Sequence, residues 1–179
     1  MVDSDEILTP ELKREIEEVL SGKEDDHVAA YLISKVHYLG HRQLKYGGWS
    51  RPSIKLGNRK YVRCSETKHD FLHIGIIIEP GYKTRTLKNP YIHYSYSSIE
   101  DFIRKDNRYS TLEAMKWYID GRKMGLGRAL WRTWDRFLRR FLFKQGYKDG
   151  FYGFIAAFMS GVHELLTYAK YREIKEHNT

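Results

Sequence analysis

Two short pairs of side chains in this sequence are the ones best suited to chemistry. Asp3 and Asp5, in "MVDSDEILTPEL", lie two residues apart near the start of the chain. Carboxylates at this spacing can hold a divalent cation, which in turn holds a diphosphate, although the same spacing also occurs in solvated acidic clusters. His69 and Asp70 form the second pair, in which the carboxylate could take a proton from a hydroxyl nucleophile or could belong to a polar turn.

The histidines raise the separate question of a zinc site. His37 and His41, and likewise His69 and His73, have the spacing HxxxH, which suits zinc when both residues lie on one helix. Both pairs fall in strand-like or loop sequence, and neither contains the glutamate of an HExxH motif. We therefore expect no zinc site from these pairs.

The composition is typical of a globular chain with an anionic partner. The 179 residues are 41% hydrophobic and 30% charged, which allows one domain with a core. The net charge of +8 favours nucleic acid, an anionic membrane surface or a phosphorylated substrate. Because no known nucleic-acid-binding motif accompanies this charge, our main interpretation includes no nucleic acid. The alternative to an enzyme is a non-catalytic basic module that binds an anionic membrane or nucleic acid.

Helix and strand signals alternate along the first 120 residues and predict an α/β fold. Thr9 and Pro10 mark the start of a helix that runs to about residue 21. Ser97 or Ser98 caps a second helix, which we expect from about residue 99 to 121. Strand-like sequence lies between them, at residues 28–39, 61–64, 72–78 and 92–96.

Residues 121–149 predict a basic amphipathic helix with aromatic anchors on one face. The side chains that define its two faces include Trp131, Arg132, Trp134, Arg136, Arg139 and Arg140. This composition is typical of a membrane-surface helix, although the apolar face could instead pack on the domain. The apolar run at 151–162 is too short to span a bilayer. We therefore expect a domain at 1–120 and a membrane-associated helical tail at 121–179.

Several motifs together resemble family 2 glycosyltransferases of GT-A type, which assemble bacterial lipopolysaccharide and cell-envelope polysaccharides. "VDSDEILTPELKREI" is similar to the D-x-D motif and following helix of that family, and "YLGHRQLKYGGW" to a strand and glycine-tryptophan loop. "KHD", which ends at Asp70, stands where the family has a "vHE" element. The most specific match is "HYSYSSIEDFIRKDNRYSTLEA", and "GYKDGFYGFIAA" in the tail also fits. The resemblance covers essentially the whole chain.

This resemblance implies an incomplete GT-A-type sheet half followed by amphipathic helices. The implied reaction transfers a sugar from a nucleotide-sugar to a lipid-linked or lipopolysaccharide-type saccharide acceptor. Asp3 and Asp5 would bind Mg²⁺ or Mn²⁺ on the diphosphate, with His93 close to the metal, and Asp70 would be the general base. The residues implied to contact substrate are Trp49, His69, Tyr94 and Tyr96.

The resemblance also bears on the length and the location of the protein. GT-A enzymes bind the nucleotide with a β/α half that precedes the D-x-D motif, whereas this sequence begins two residues before Asp3. We therefore expect the C-terminal half of such an enzyme, which transfers no sugar by itself. Its expected location is cytoplasmic and peripheral, at the inner face of the cell membrane, where the tail binds the anionic surface.

Overall fold

The computed structural model describes residues 4–22, 27–65 and 75–178. Three of the residues predicted to act in catalysis or binding, Asp3, His69 and Asp70, lie outside these ranges. Within them, three small sheets are followed by long helices, which confirms the predicted α/β class.

The chain begins with strand β1 (Glu6–Leu8) and helix α1 (Pro10–Leu20). Thr9 caps the helix, because its side-chain oxygen accepts a hydrogen bond from the Leu12 N–H at 3.2 Å. Leu12 is fully buried in a cluster of strand residues, so the apolar side of α1 covers one face of the sheet region. The predicted first helix is therefore confirmed.

The remaining strands are short and belong to different sheets. They are β2 (Val28–Ile33), β3 (Lys35–Leu39), β4 (Arg42–Leu44), β5 (Ser53–Gly57), β6 (Val62–Ser65), β7 (Gly75–Ile78), β8 (Lys83–Thr86) and β9 (Tyr91–Tyr96). The first sheet has the order β1-β9-β3-β4, the second β5-β2-β8, and β6 pairs with β7 as a hairpin. The strand-like sequence at 28–39 thus forms two strands of two sheets, with Ser34 between them.

The pairing of β9 decides which side chains meet. β9 runs antiparallel to β1 and parallel to β3, so that it lies between the start of the chain and the strand Lys35–Leu39. The register places His93 opposite Glu6 on one side and opposite His37 on the other. The first sheet therefore gathers three segments that are distant in sequence.

Helix α2 (Ile99–Ile119) confirms the second predicted helix. Its cap is Ser98, whose hydroxyl oxygen accepts a hydrogen bond from the Asp101 N–H at 3.0 Å. Asp101, in the first turn, accepts in turn from the Ser97 N–H at 3.0 Å and from Arg104 at 2.6 Å. A buried carboxylate thus ties the end of β9 to the start of the helix.

The tail is not the single helix predicted over 121–149. Helix α3 (Leu126–Leu138) is followed by a π-helical turn (Arg139–Phe143), a 3-10 turn (Gly146–Asp149) and helix α4 (Gly150–His177). The break comes where Gln145 and Gly150 adopt positive φ angles of 58° and 61°. The predicted apolar run at 151–162 therefore lies entirely within α4, which packs against both α2 and α3.

Close helix packing in the tail depends on small side chains of α4. Gly161 is buried, and a Cβ atom added to it would lie 2.7 Å from the Thr133 carbonyl oxygen of α3. Within the described ranges, no helix combines the length and apolarity needed to cross a membrane. The division of the chain at residue 120 remains a prediction.

Candidate functional site

A cleft of about 390 Å³ opens where the first sheet meets α2 and α4. Its ionisable lining consists of Asp5, Lys35, His37, His93, Lys105, Tyr109, Glu113, His163 and Tyr96, with Ser95 between them. Carboxylates, imidazoles and ammonium groups thus face one small volume, which is the arrangement from which metal and phosphate sites are built.

At one end of the cleft, Asp5 and His93 are adjacent. The Asp5 Oδ2 atom lies 3.3 Å from the His93 Nε2 atom. The backbone holds this geometry, because the Tyr94 N–H donates to the Asp5 carbonyl oxygen at 2.9 Å as β9 pairs alongside β1. The D-x-D segment and the strand Tyr91–Tyr96 are therefore joined by main-chain as well as side-chain contacts.

The protonation of His93 suits metal binding. Burial lowers the pKa of His93, as does the positive charge of Lys35, against the opposing effect of Asp5. Its buried Nδ1 atom has no hydrogen-bond partner among the described residues. A neutral imidazole beside a carboxylate offers one nitrogen and one oxygen ligand, a set that Mn²⁺ accepts readily and that Mg²⁺, which prefers oxygen, accepts less well.

Two ligands do not make a complete metal site. Among the residues that the structure describes, no group of three or more histidine, cysteine or acidic side chains could hold a metal ion. Asp3, the other acid of the motif, lies outside those residues. Asp5 and His93 fit the implied metal as two of its ligands. The other coordination positions would be left to Asp3 and to substrate oxygens.

Two lysines give the cleft a positive side. Lys105 donates from Nζ to the Ser95 carbonyl oxygen at 2.8 Å and lies 3.3 Å from the Asp101 carboxylate. Lys35 is more enclosed, and burial, followed by repulsion from Lys55, lowers its pKa. These ammonium groups are placed to attract a phosphate group of a substrate.

His37 forms the inner wall of the cleft. Burial, followed by the nearby Lys35, lowers its pKa to about 3, so it is neutral at physiological pH. Its ring stacks on Trp49 at a centroid distance of 5.3 Å and meets the edge of the His93 ring at 5.6 Å. Trp49 therefore lies behind the wall and supports it.

The predicted substrate-binding tyrosines lie in different places. Tyr96 lines the cleft, and burial raises its pKa to about 12. Tyr94 is exposed, does not line the cleft and stacks on Tyr38 at 5.0 Å. Simple alternation would place both tyrosines on the face opposite His93, but the β3–β9 register shifts between the pairs His37–His93 and Leu39–Tyr96. This irregularity in β9 returns Tyr96 to the side of the strand that carries His93.

The sequence analysis missed the histidine at the other end of the cleft. His163 donates from Nδ1 to Asp106 and from Nε2 to Glu113, both at 2.8 Å. Burial alone would lower the pKa of His163, but these two hydrogen bonds and charges raise it to about 9. The seven-residue spacing of Asp106 and Glu113 places both on one face of α2, a signal that was available, but the partner lies far along the chain.

The predicted membrane residues of α3 divide into two groups. Trp131 and Trp134 are 70% and 61% exposed. Arg132 and Arg136 instead turn toward α4 and bind the two carboxylate oxygens of Glu164, at 2.7 and 2.6 Å. The last two predicted residues are Arg139, paired with Asp135 at 2.8 Å, and Arg140, which lies 4.0 Å over the Trp49 ring.

Comparison with known proteins found relatives that are named as glycosyltransferases. The chain is 28% identical over 178 residues to an uncharacterized glycosyltransferase of Rickettsia typhi, a match that covers 97% of this chain and 61% of the relative. A Rickettsia prowazekii protein with the same description is 26% identical over 178 residues, with the same coverage of both chains.

A third relative carries a more specific name. It is the lipopolysaccharide core biosynthesis glycosyltransferase LpsC of Rhizobium meliloti, 25% identical over 172 residues that cover 94% of this chain and 61% of the relative. No family model and no solved structure matches. The chain thus spans about three fifths of the length of these three relatives, each of which is named as a glycosyltransferase.

Proposed function

We propose that this chain forms the metal-binding and acceptor-binding part of a family 2 glycosyltransferase of GT-A type. The reaction would transfer a sugar from a nucleotide-sugar to a lipid-linked or lipopolysaccharide-type saccharide acceptor. The observation that carries the proposal is the contact of Asp5 with His93 in a cleft lined by lysines. The names of the relatives support the same class of reaction, and one of them is named for lipopolysaccharide core biosynthesis.

In this proposal, Asp5, Asp3 and His93 hold Mg²⁺ or Mn²⁺. The metal, when bound, neutralises the charge that develops on the departing nucleoside diphosphate. Lys35 and Lys105 add positive charge on the same side of the cleft and bind the phosphate oxygens.

Asp70 is the proposed general base on the acceptor hydroxyl, a role that rests on the sequence resemblance. Trp49, His69, Tyr94 and Tyr96 are the proposed substrate contacts. Of these, Tyr96 has the geometric support of lining the cleft, and Trp49 the indirect support of backing His37.

The proposed location is the inner face of the cell membrane. We define the aromatic face as the exposed apolar side chains of α3, the π-helical turn and α4, namely Leu126, Leu130, Trp131, Trp134, Leu138, Leu142, Phe143, Phe151, Phe154 and Phe158. Phe154 of α4 packs edge-on against Phe137 and Phe141, at 5.9 and 5.7 Å. Trp131 and Trp134 stay exposed, so α4 covers only part of the apolar side of α3 and the π-helical turn. The same face favours the second candidate function, a membrane-binding module without catalysis of its own.

Metal binding is the direct test of the proposed site. Titration of Mn²⁺ in the presence of a nucleoside diphosphate should give an affinity that falls about tenfold or more in Asp5→Asn, because a charged ligand is lost. Asp120→Asn, at the exposed end of α2, is the matched control and should bind as the unmodified chain does. Equal affinity in Asp5→Asn and the unmodified chain would remove Asp5 from the site.

Sugar transfer separates the enzyme from the module. The protein purified from its own cells is supplied with labelled nucleotide-sugars and a cell-envelope extract as acceptor. Metal-dependent incorporation that disappears in Asp5→Ala supports the transferase. Membrane binding with no incorporation from any donor favours the non-catalytic module.

A further inference from the structure

A second cavity, of about 280 Å³, lies between α3, the π-helical turn and the loop that carries Trp49. Six cationic side chains line it: Arg51, Arg132, Arg136, Arg139, Arg140 and Lys144. Two carboxylates, Asp135 and Glu164, complete the described lining. We call this cavity the basic pocket.

The two carboxylates are already engaged within the basic pocket. Glu164 is 1% exposed and binds both Arg132 and Arg136. Asp135 accepts two hydrogen bonds from one nitrogen of Arg139, at 2.8 and 2.9 Å. Each carboxylate therefore orients guanidinium groups but leaves most of their N–H donors available, and the described lining keeps a surplus of positive charge.

Arg140 shows the effect of this surplus. Its guanidinium is largely buried, stacks on Trp49 at 4.0 Å and donates one hydrogen bond, to the Gly47 carbonyl oxygen at 3.0 Å. Burial, followed by repulsion from Arg136 and Arg51, lowers its pKa to about 10. Holding a buried cation among other cations is unfavourable, and an anionic ligand would relieve the repulsion.

The backbone around the basic pocket is closely fitted. The Gly47 N–H donates to the Lys144 carbonyl oxygen at 2.8 Å, which joins the Trp49 loop to the end of the π-helical turn. A Cβ atom added to Gly48 would lie 2.5 Å from the Lys144 side chain, and one added to Gly146 would lie 2.7 Å from the Arg140 carbonyl oxygen. Single π-helical turns often occur at functional sites, and this one places Arg139 and Arg140 at the cavity.

We propose that the basic pocket binds a phosphoryl group, chiefly through Arg136, Arg139 and Arg140. Several guanidinium forks around one small cavity match the several oxygens of a phosphate or pyrophosphate. This site goes beyond the proposed sugar transfer and does not depend on it, because none of the residues that line the basic pocket lines the cleft that holds Asp5 and His93.

The phosphoryl group has two possible sources. One is a soluble phosphate ester or pyrophosphate, and the other is a lipid headgroup, since α3 carries the aromatic face and the pocket arginines on neighbouring stripes. Both sources share the same chemistry, so the experiment has one arm for each.

The soluble arm uses inorganic phosphate and pyrophosphate, with calorimetry on the full chain. The double variant Arg136→Gln, Arg139→Gln should bind pyrophosphate about tenfold or more weakly, because two charge-assisted contacts are lost. Arg122→Gln, Arg128→Gln is the matched control, since it removes the same charge near the other end of α3, and it should stay within about twofold. Thermal melting of both variants checks that each is folded.

The lipid arm uses vesicles of equal surface charge that contain phosphatidic acid or phosphatidylglycerol. If a lipid headgroup occupies the pocket, the double variant Arg136→Gln, Arg139→Gln should lose more vesicle binding than the control does. Pyrophosphate should then also compete with the vesicles for the unmodified chain. Soluble binding that depends on the pocket, with vesicle binding equal in both variants, supports the soluble source. Absence of pyrophosphate binding, with vesicle binding that is absent or falls equally in the two variants, would overturn the proposal.

Discussion

His163 lies between Asp106 and Glu113 and donates one ring N–H to each, so two carboxylates of α2 stabilise its positive charge. Its pKa is raised to about 9 from the value of 6.5 expected in an unfolded chain. Stability from this group is therefore fully present below about pH 6.5 and is lost as the pH rises through 9.

We expect the free energy of unfolding to fall by on the order of 3 kcal/mol between pH 6.5 and 9.5. The variant His163→Gln should start less stable and show a flatter dependence in this range. Urea unfolding at several pH values measures both. His41→Gln, at an exposed turn, is the control, and its free energy of unfolding should depend on pH as that of the unmodified chain does. If the free energy of unfolding of His163→Gln falls with pH as steeply as that of the unmodified chain, His163 is not charged in the folded chain.

Glu164 supports a second prediction for a single residue. It is buried and holds Arg132 and Arg136, whose side chains are partly exposed. Glu164→Gln should lower the free energy of unfolding by about 2 kcal/mol, less than for a fully buried pair, because the arginines can still reach water. Asp135→Asn breaks only the exposed pair with Arg139 and should cost less than about 1 kcal/mol. Equal effects of the two changes on denaturant unfolding would contradict this assignment.

Some residues of the cleft could be predicted from the sequence, and others could not. The spacing of Asp3 and Asp5 is visible in the sequence, and the resemblance implied His93 beside them; the structure places Asp5 and His93 3.3 Å apart. The contact of His163 with α2 could not be predicted from any local pattern, because it depends on how α4 packs. Whether these residues bind metal stays a prediction.

At the scale of elements, the predicted helices with local capping signals are confirmed. Thr9 and Ser98 each accept the expected hydrogen bond from the backbone N–H three residues further along the chain. The division of residues 28–39 into two strands was not predicted, because Ser34 carries no strong turn signal and the two strands pair with different partners. The π-helical turn was also missed, since a one-residue expansion of a helix leaves the apolar periodicity almost unchanged.

The "NRYST" segment of the specific motif now has a structural role. Lys170 of α4 donates from Nζ to Asn107, Ser110 and Thr111, at 2.6 to 2.9 Å. These contacts join α4 to α2 next to His163. A motif that the resemblance associates with a glycosyltransferase therefore also holds α4, the helix that closes the cleft, against α2.

The close packing of α3 on α4 gives a prediction for Gly161. Gly161→Ala would place a methyl group 2.7 Å from the Thr133 carbonyl oxygen, so the helices must separate. We expect a loss of about 1–3 kcal/mol, despite the better helix propensity of alanine. Gly127→Ala is the control, because its added methyl group meets nothing within 4 Å and should raise stability by up to about 1 kcal/mol. A higher melting temperature in Gly161→Ala would show that the two helices are more loosely packed than described.

At the scale of the whole molecule, charge and apolar surface coincide in the tail. The chain carries a net charge of +8, and the aromatic face adjoins the arginines of α3. Each basic residue near an anionic surface contributes roughly 1 kcal/mol, a term that decays within about a Debye length. Exposed tryptophans add contact at the headgroup boundary. These terms together predict attachment that is peripheral and sensitive to salt.

We therefore expect the chain to float with vesicles in proportion to their anionic lipid content and to dissociate in high salt. The double variant Trp131→Ala, Trp134→Ala should bind about tenfold or more weakly at every salt concentration, because it removes apolar contact and no charge. Leu20→Ala, Ile77→Ala is the control, since both residues are exposed outside the tail, and it should bind as the unmodified chain does. If vesicle binding is unchanged in the tryptophan variant but abolished by salt, electrostatic attraction alone holds the chain on the membrane. In that case the aromatic face would meet a surface other than the membrane. Absence of binding to anionic vesicles at low salt would remove the inner face of the cell membrane as the proposed location.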